Sequence, residues 1–352
     1  MTRVLGLDDE AAWCEALPAD ASAFGAVEFA RIRHLHAGVD PRLFVFDAPG
    51  GAIAHPLHLR STAALGLGDA ADHLHDAGTP PFSGPRSDRA PDAATAGEFR
   101  DALTAWCRSA GVVTEFAHLH PWHARTDLLD ERDVEPDREI VYVDLTLSDE
   151  EMWRDSYTHA CRKNVNRARR EGVRVYAAED ERGARELHRI YDMTMERRGA
   201  LPEYRFGPEY FAAFLERMPD NCRILLAEHS GDVVAATLYL HDREDVYSHL
   251  GGADGAAQSV RPTNAIVDEI IRWARAEGKR RLVLGGGYGP DDGILRFKAG
   301  FSPLRAQFRV YRHVHMPAEY DALCGAWRRR HGGDPDPAGF FPPYRAVPER
   351  PG

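Results

Sequence analysis

Residues 223–252, RILLAEHSGDVVAATLYLHDREDVYSHLGG, hold three β-rich runs in quick succession, and their reading decides the fold. RILLAEH, VVAATLYLH and DVYSHLGG are rich in Ile, Leu, Val and Tyr, and Ser230, Gly231 and Asp232 supply turn chemistry between the first two. Three strands joined this tightly form an antiparallel meander. Directly behind it, from about Pro262 to Glu277, Ile266, Ile270, Ile271 and Ala274 share one helical face; Gly278 ends that helix, and RRLVLGGG reads as another strand.

Working outward, the upstream strand REIVYVDLTL is followed by Ser148, then Asp149, Glu150 and Glu151, the pattern of a helix N-cap with acids in its first turn. A helix through RKNVNRARREGV stops at Gly172, a strand covers 173–178, and helices are expected at about 180–198 and 207–217. Residues 42–61 predict a hairpin around Pro49, Gly50 and Gly51, and 77–97 predict a long loop. An amphipathic helix with Phe99, Leu103 and Trp106 follows, ended by Gly111, then a strand VVTEFAHLH. RAQFRVYRHVHM is the last expected strand, before a tail from Gly332 rich in Pro and Gly.

A chain of 352 residues suits two domains of ordinary size, and 43% hydrophobic with 28% charged residues is a globular composition. No apolar run approaches the ~18 residues that cross a bilayer, and the N-terminal stretch lacks a basic-then-apolar signal pattern. A cytoplasmic protein is expected. Its five scattered cysteines contain no CxxC pair, which implies neither a disulfide framework nor a zinc cluster. A net charge of −11 excludes a protein coated in phosphate-binding surface but leaves room for a local basic patch. Such a patch lies between Arg154 and Glu171, where six basic residues face two acids; Arg162, Lys163, Arg169 and Arg170 fall on neighbouring turns of one helix. A solvated helix face is the alternative reading.

From 150 to 315 the order is helices, strand meander, helix, strand, which matches a GNAT fold, whose splayed central strands receive an acyl donor. An acetyl-CoA enzyme of that superfamily would open its post-meander helix with glycines whose bare amides meet a pyrophosphate. Here SVRPTNAIV stands in that place: the glycines are absent and Pro262 removes a donor. Gly251, Gly252 and Gly255 come earlier at the wrong spacing and read as a turn.

YSHLGG, RPTNAIVDEIIRWARAEGKRRLVLGGG and DDGILRFKAGFSP together resemble the FemAB or Fem-like aminoacyl-tRNA-dependent transferases within the GNAT superfamily. Weaker echoes, TPPFSGP, EFAHLHPWH and RKNVNRARREG, extend the resemblance over most of the chain. It implies an α/β (α+β) protein of two tandem GNAT-like domains with mixed, largely antiparallel sheets. The first would comprise 1–148 plus 306–352 on the acceptor side, the second 149–305 on the donor side. The implied reaction joins the aminoacyl group of an aminoacyl-tRNA to an amine-bearing acceptor, a peptidoglycan precursor or a small metabolite. An acyl-CoA-dependent N-acyltransferase acting on an amino sugar or similar amine is the alternative.

By the same resemblance, Lys298 with Phe297 would sit at the reacting ester, where a cation steadies growing charge or holds the terminal phosphate. A surface lysine and a core phenylalanine are the plain readings of the pair. Tyr247, Asn264 and Gly286 would join the four basic residues on the donor side, and Arg197, Arg198 and Tyr204 would meet the acceptor. His118, His120 and His123 invite a metal reading, but no carboxylate completes the set, so no metal and no cofactor is expected. A monomer that binds neither DNA nor membrane completes the expectation, as does the lack of any Ser-His-Asp order, Walker loop or Cys-His nucleophile signature.

Overall fold

The computed structural model describes all residues except 19–20, 69–70, 201–203, 288–292, 334–338 and 347–352. The chain divides into two compact units, residues 1–137 with 308–352 and residues 138–307; the expected divisions stood at 148/149 and 305/306. Each unit is a mixed α/β structure built on a largely antiparallel sheet.

The first unit opens with β1 (Thr2–Leu5), α1 (Glu10–Ala16) and α2 (Val27–Ala37). β2 (Asp40–Ala48) and β3 (Gly51–Ser61) form the expected hairpin, with Ala48 opposite Gly51 across a two-residue Pro-Gly turn. β4 (His75–Gly78) then leads to α3 (Ala93–Ser109), which starts where the Asp92 carboxylate accepts the amide of Thr95, and to β5 (Val112–Leu119). α3 lays Phe99, Leu103 and Cys107 against Phe44, Ile53 and Leu57 of the sheet. The period-3.6 apolar stripe read from the sequence is that buried face.

β6 (Val134–Asp144) carries the chain into the second unit. Ser148 caps the single turn α4 (Asp149–Glu151) in a complete capping box with Glu151. α5 (His159–Arg170) starts from the Thr158 side chain, which accepts the amide of Cys161, and Gly172 terminates it at φ +76°. β7 (Arg174–Ala178), α6 (Glu181–Arg197) and α7 (Pro208–Arg217) precede the meander β8 (Cys222–His229), β9 (Asp232–His241) and β10 (Asp245–Ala253). α8 (Pro262–Ala276), β11 (Arg281–Gly285) and α9 (Gly293–Ala299) complete the unit. One core binds it: Val141 and Val143 from β6, Leu225 and Tyr239 from the meander, Ile266, Ile270 and Ile271 from α8, and Phe301.

β12 (Arg305–Val314) returns the chain to the first unit and pairs antiparallel with β5. It is followed by α10 (Pro317–His331), a helix whose weak periodicity gave no signal in the sequence. A fully buried Glu115 ties this return together, accepting from His55 at 2.7 Å and His315 at 3.2 Å. Burial alone would raise the Glu115 carboxyl, but the two imidazoles outweigh it and hold the group well below the usual carboxylate range. Asp76, also fully buried, accepts from Thr114, Tyr344 and Arg345.

Candidate functional site

In the second unit β10 and β11 run parallel, paired at Asp245–Arg281, Val246–Leu282 and Tyr247–Val283, and beyond those three pairs no further bridge joins them among the described residues. β10 continues to Ala253 along β9 alone, and β11 to Gly285 along β6 alone. The two strands therefore diverge, and backbone groups on their facing edges are left to meet something other than each other. Between Ser248 and Leu250 the register of β10 against β9 shifts, a bulge that re-aims the edge beside this opening.

Tyr247 stands at the closed end of the cleft. It is wholly buried and its hydroxyl donates to Asp242 at 2.9 Å, which sets it in the packing and not on an open wall. Gly251 and Gly252 lie within β10 and do not form the turn read from the sequence. Their reason is close packing: a Cβ on Gly251 would stand 2.7 Å from the Ala236 carbonyl, and one on Gly252 would stand 2.2 Å from Thr194 Oγ1 on α6.

The glycine-rich end of β11 is where Lys298 arrives. Its ammonium donates to the Gly286 carbonyl at 2.6 Å, and Gly285 holds φ +79°, where an added Cβ would lie 3.3 Å from Nζ. Backbone conformation and the lysine thus both call for a glycine at 285. Phe297, half-buried on α9, packs edge-on to the fully buried Phe301 at 5.4 Å, which fixes the helix carrying Lys298. Gly300 lets the chain turn tightly behind it, with its carbonyl accepting the Thr158 amide at 2.9 Å. Phe297 is a packing residue and Lys298 a polar one at the tip of the strand.

At the head of α8, Arg261 takes φ +60° and Pro262 occupies the first helical position. Asn264 is buried there, beside the Cys161 thiol, which desolvation first and the Asp268 charge second push up to about 12. A thiol so placed is inert. Asp268, itself buried, accepts from Tyr157 Oη at 3.2 Å and pairs with Arg169 at 2.8 Å and Arg272 at 3.1 Å, locking α5 to α8.

That lock engages one of the four basic residues expected on the donor side, and a second is also held. Arg169 is held by Asp268 and lies over the Trp153 ring, and the Arg162 guanidinium donates to the carbonyls of Trp153, Arg154 and Tyr157 at 2.9, 3.1 and 2.5 Å. Both are structural ties. Lys163 and Arg170 are exposed and make no ion pair among the described residues, so they are the pair on this helix open to an anionic partner.

Of the expected acceptor residues, Arg197 is pinned by both terminal nitrogens to the Ala253 carbonyl at 3.1 Å, bracing the end of β10. Arg198 is exposed, and Tyr204, also exposed, offers its carbonyl to Tyr191 Oη at 2.8 Å; residues 201–203 between them lie outside the described residues. In the first unit His120 Nδ1 accepts the amides of Trp122 and His123, each at 3.2 Å, and the His118 ring stacks on Phe308 at 5.5 Å. Sequence reading missed Asp268, which stands inside the quoted helix segment but shows its part only through long-range contacts with Tyr157 and Arg169. Among the described residues no helix is long and apolar enough to cross a membrane.

The acetyltransferase (GNAT) domain family matches residues 156–299. The structure resembles FemX with a TM-score of 0.68 at 12% identity, covering 91% of this chain and 99% of that one. A conserved protein of unknown function from Bacteroides thetaiotaomicron follows at 0.58 and 13% identity, covering 89% and 99% of the two chains. The C-terminal domain of a protein designated a lysylphosphatidylglycerol synthetase from Agrobacterium fabrum gives 0.56 and 14% identity, covering 90% and 93%. No curated protein sequence matches this one. At such identities the likeness is one of fold.

Proposed function

From a chain that has a Fem-like fold and carries a GNAT acyltransferase domain, we propose an enzyme that takes the aminoacyl group of an aminoacyl-tRNA and joins it to an amine-bearing acceptor. The carrying observation is the cation Lys298 at the glycine tip of β11, beside strands that part as an acyl-donor cleft requires. The acceptor amine attacks the ester carbonyl, a C–N bond forms, the ester C–O bond breaks, and the ribose hydroxyl leaves with a proton released from the amine. The ester is already activated, so orientation and charge stabilisation suffice. A lysine ammonium at this tip can donate to an oxygen that is gaining charge, and charge-assisted bonds are roughly twice as strong as neutral ones. The name of the Agrobacterium protein denotes an aminoacylated product, which accords with this donor class.

The proposal is tested by incubating the protein with an unfractionated pool of charged tRNA and amine acceptors and following loss of aminoacyl ester together with gain of amide. A pool that stays charged with every acceptor overturns it.

A second reading rests on Arg261. Its left-handed backbone sits immediately before α8, where an acyl-CoA enzyme would place a glycine, so the loop shape of a pyrophosphate cradle survives without its small residues. Calorimetry separates the two. A micromolar dissociation constant for acetyl-CoA favours the second reading, and absence of binding favours the first.

A further inference from the structure

Between α3 and β12 the first unit holds a cavity of about 180 Å³, lined in part by Tyr311, His313 and His315. These three alternate in sequence, so the end of β12 presents them on one face. Each imidazole is oriented by a carboxylate: His313 Nδ1 lies 2.6 Å from Asp133 Oδ2, and His315 Nε2 lies 3.2 Å from Glu115 Oε2. A carboxylate only accepts, so those two nitrogens carry the protons, and His313 Nε2 and His315 Nδ1 keep lone pairs. The rings meet edge to face at 4.6 Å, and the Tyr311 ring stacks on His313 at 5.5 Å, which fixes both.

His315 is 1% exposed, and its Nδ1 has no hydrogen-bond partner among the described residues. A buried acceptor left without a donor is costly. Desolvation pulls this imidazole below its ordinary value, although the bond to Glu115 and its charge pull the other way, so the ring is neutral at pH 8. Asp101, on the α3 wall, is exposed and makes no ion pair or hydrogen bond among the described residues. The nearby guanidiniums are engaged: Arg132 on Asp130, Arg100 on the Asp127 carbonyl at 3.2 Å and Arg108 on the His315 carbonyl at 2.9 Å. The walls therefore offer an occupant two imidazole lone pairs and a carboxylate, which ask for N–H donors and positive charge.

We propose that this cavity binds a small primary amine as its ammonium, with His313, His315 and Asp101 accepting its N–H groups. An ammonium has three donors, one for each of these acceptors. A volume of about 180 Å³ equals that of roughly six waters, so the occupant has about six non-hydrogen atoms or fewer. His313 and His315 belong to no group of three metal-ligating side chains with donor atoms within 4.8 Å of one another among the described residues, so a metal ion would lack its ligand set. The site holds whether the acyl donor is aminoacyl-tRNA or acetyl-CoA.

Calorimetry at pH 8 with ethanolamine tests the assignment, with acetate and ethylene glycol as anionic and neutral controls of the same size. Wild type should bind ethanolamine saturably at one site and neither control. Asp101→Asn, an exposed change that leaves the core untouched, should weaken binding about tenfold, as for one lost charge-assisted hydrogen bond. His313→Phe keeps a ring against Tyr311 and His315 but removes the lone pair, and should weaken it at least as much; thermal unfolding shows whether that variant is folded, and Asp101→Asn decides alone if it is not. Absence of saturable ethanolamine binding by wild type overturns the inference. Preference for acetate overturns it too, as does ethanolamine binding that Asp101→Asn leaves unchanged.

Discussion

The two units repeat one strand order. β1-β2-β3-β4-β5-β12 in the first and β7-β8-β9-β10-β11-β6 in the second each contain three antiparallel pairings, then a parallel one, then an antiparallel one. They differ at the parallel pair. In the second unit β10 and β11 separate after Tyr247, whereas in the first the chain leaving β4 stays between β3 and β5 and fills the gap. Ser83 donates to the His118 carbonyl at 3.1 Å and accepts the His120 amide at 2.8 Å, while Arg86 and Ala54 exchange both backbone bonds at 2.8 Å. Phe82 takes φ +48° to make that path, a strained conformation for a bulky residue. One topology therefore yields parting strands in one unit and a filled gap in the other.

The strongest way to break this comparison is Lys298→Met. Turnover should fall about 10²–10³-fold, as for loss of one donor to a developing charge, with little change in melting temperature. Single-turnover transfer at saturating donor, beside thermal unfolding, reads both. Transfer within a factor of three of wild type would remove the open cleft from the mechanism.

Ser83→Pro attacks the filled cleft instead. It deletes the amide that bonds His118, so the first unit should lose about 1–3 kcal/mol in urea unfolding while donor kinetics stay as in wild type. Slowed transfer with intact stability would show that the first cleft also acts in chemistry.

Acid should expose the first unit through His58. Burial, with Arg33 and Arg60 nearby, pushes its imidazole down to about 3, so the folded chain refuses a proton that the unfolded chain takes near pH 6.5. The folded pKa is the lower one. Its contribution is complete above pH 6.5 and is lost as pH falls from there toward 3, about 2 kcal/mol by pH 5. His58→Gln should shrink the stability difference between pH 7 and pH 5 by roughly that much in urea titrations at the two pH values.

The smallest effect concerns the two free cations of α5. Lys163→Glu with Arg170→Glu should lower charged-tRNA affinity and reduce its salt slope by about 2 without shifting the melting temperature. An unchanged slope would mark them as a solvated face.

Periodicity and turn chemistry carried most of the second unit because its elements are regular and their caps are local: Ser148, Thr158, Asp180 and Gly172 each act within a few residues. The first unit was less legible. α1, α2 and α10 have short or weak stripes, and residues 79–86 look like loop until strand partners 32 and 36 positions away are known. The site divided the same way. Lys298 and the glycine tip announced themselves as a motif, whereas the engagement of Arg162 by three carbonyls and of Arg169 by Asp268 depends on tertiary contacts that no local pattern encodes.

The discontinuity of the first unit has a consequence for the order of synthesis. Residues 138–307 are contiguous, so a growing chain can complete the second unit's core as soon as Phe301 is available. The first unit, although begun earlier, must wait: Glu115 meets His315 only 200 residues later, and Asp76 meets Tyr344 only 268 residues later. Until then two carboxylates destined for full burial lack their C-terminal partners, and the edge of β5 lacks β12. The usual N-to-C order of domain folding is thereby inverted, with the unit that holds the open cleft formed first and the N-terminal half as the late-folding, aggregation-exposed one.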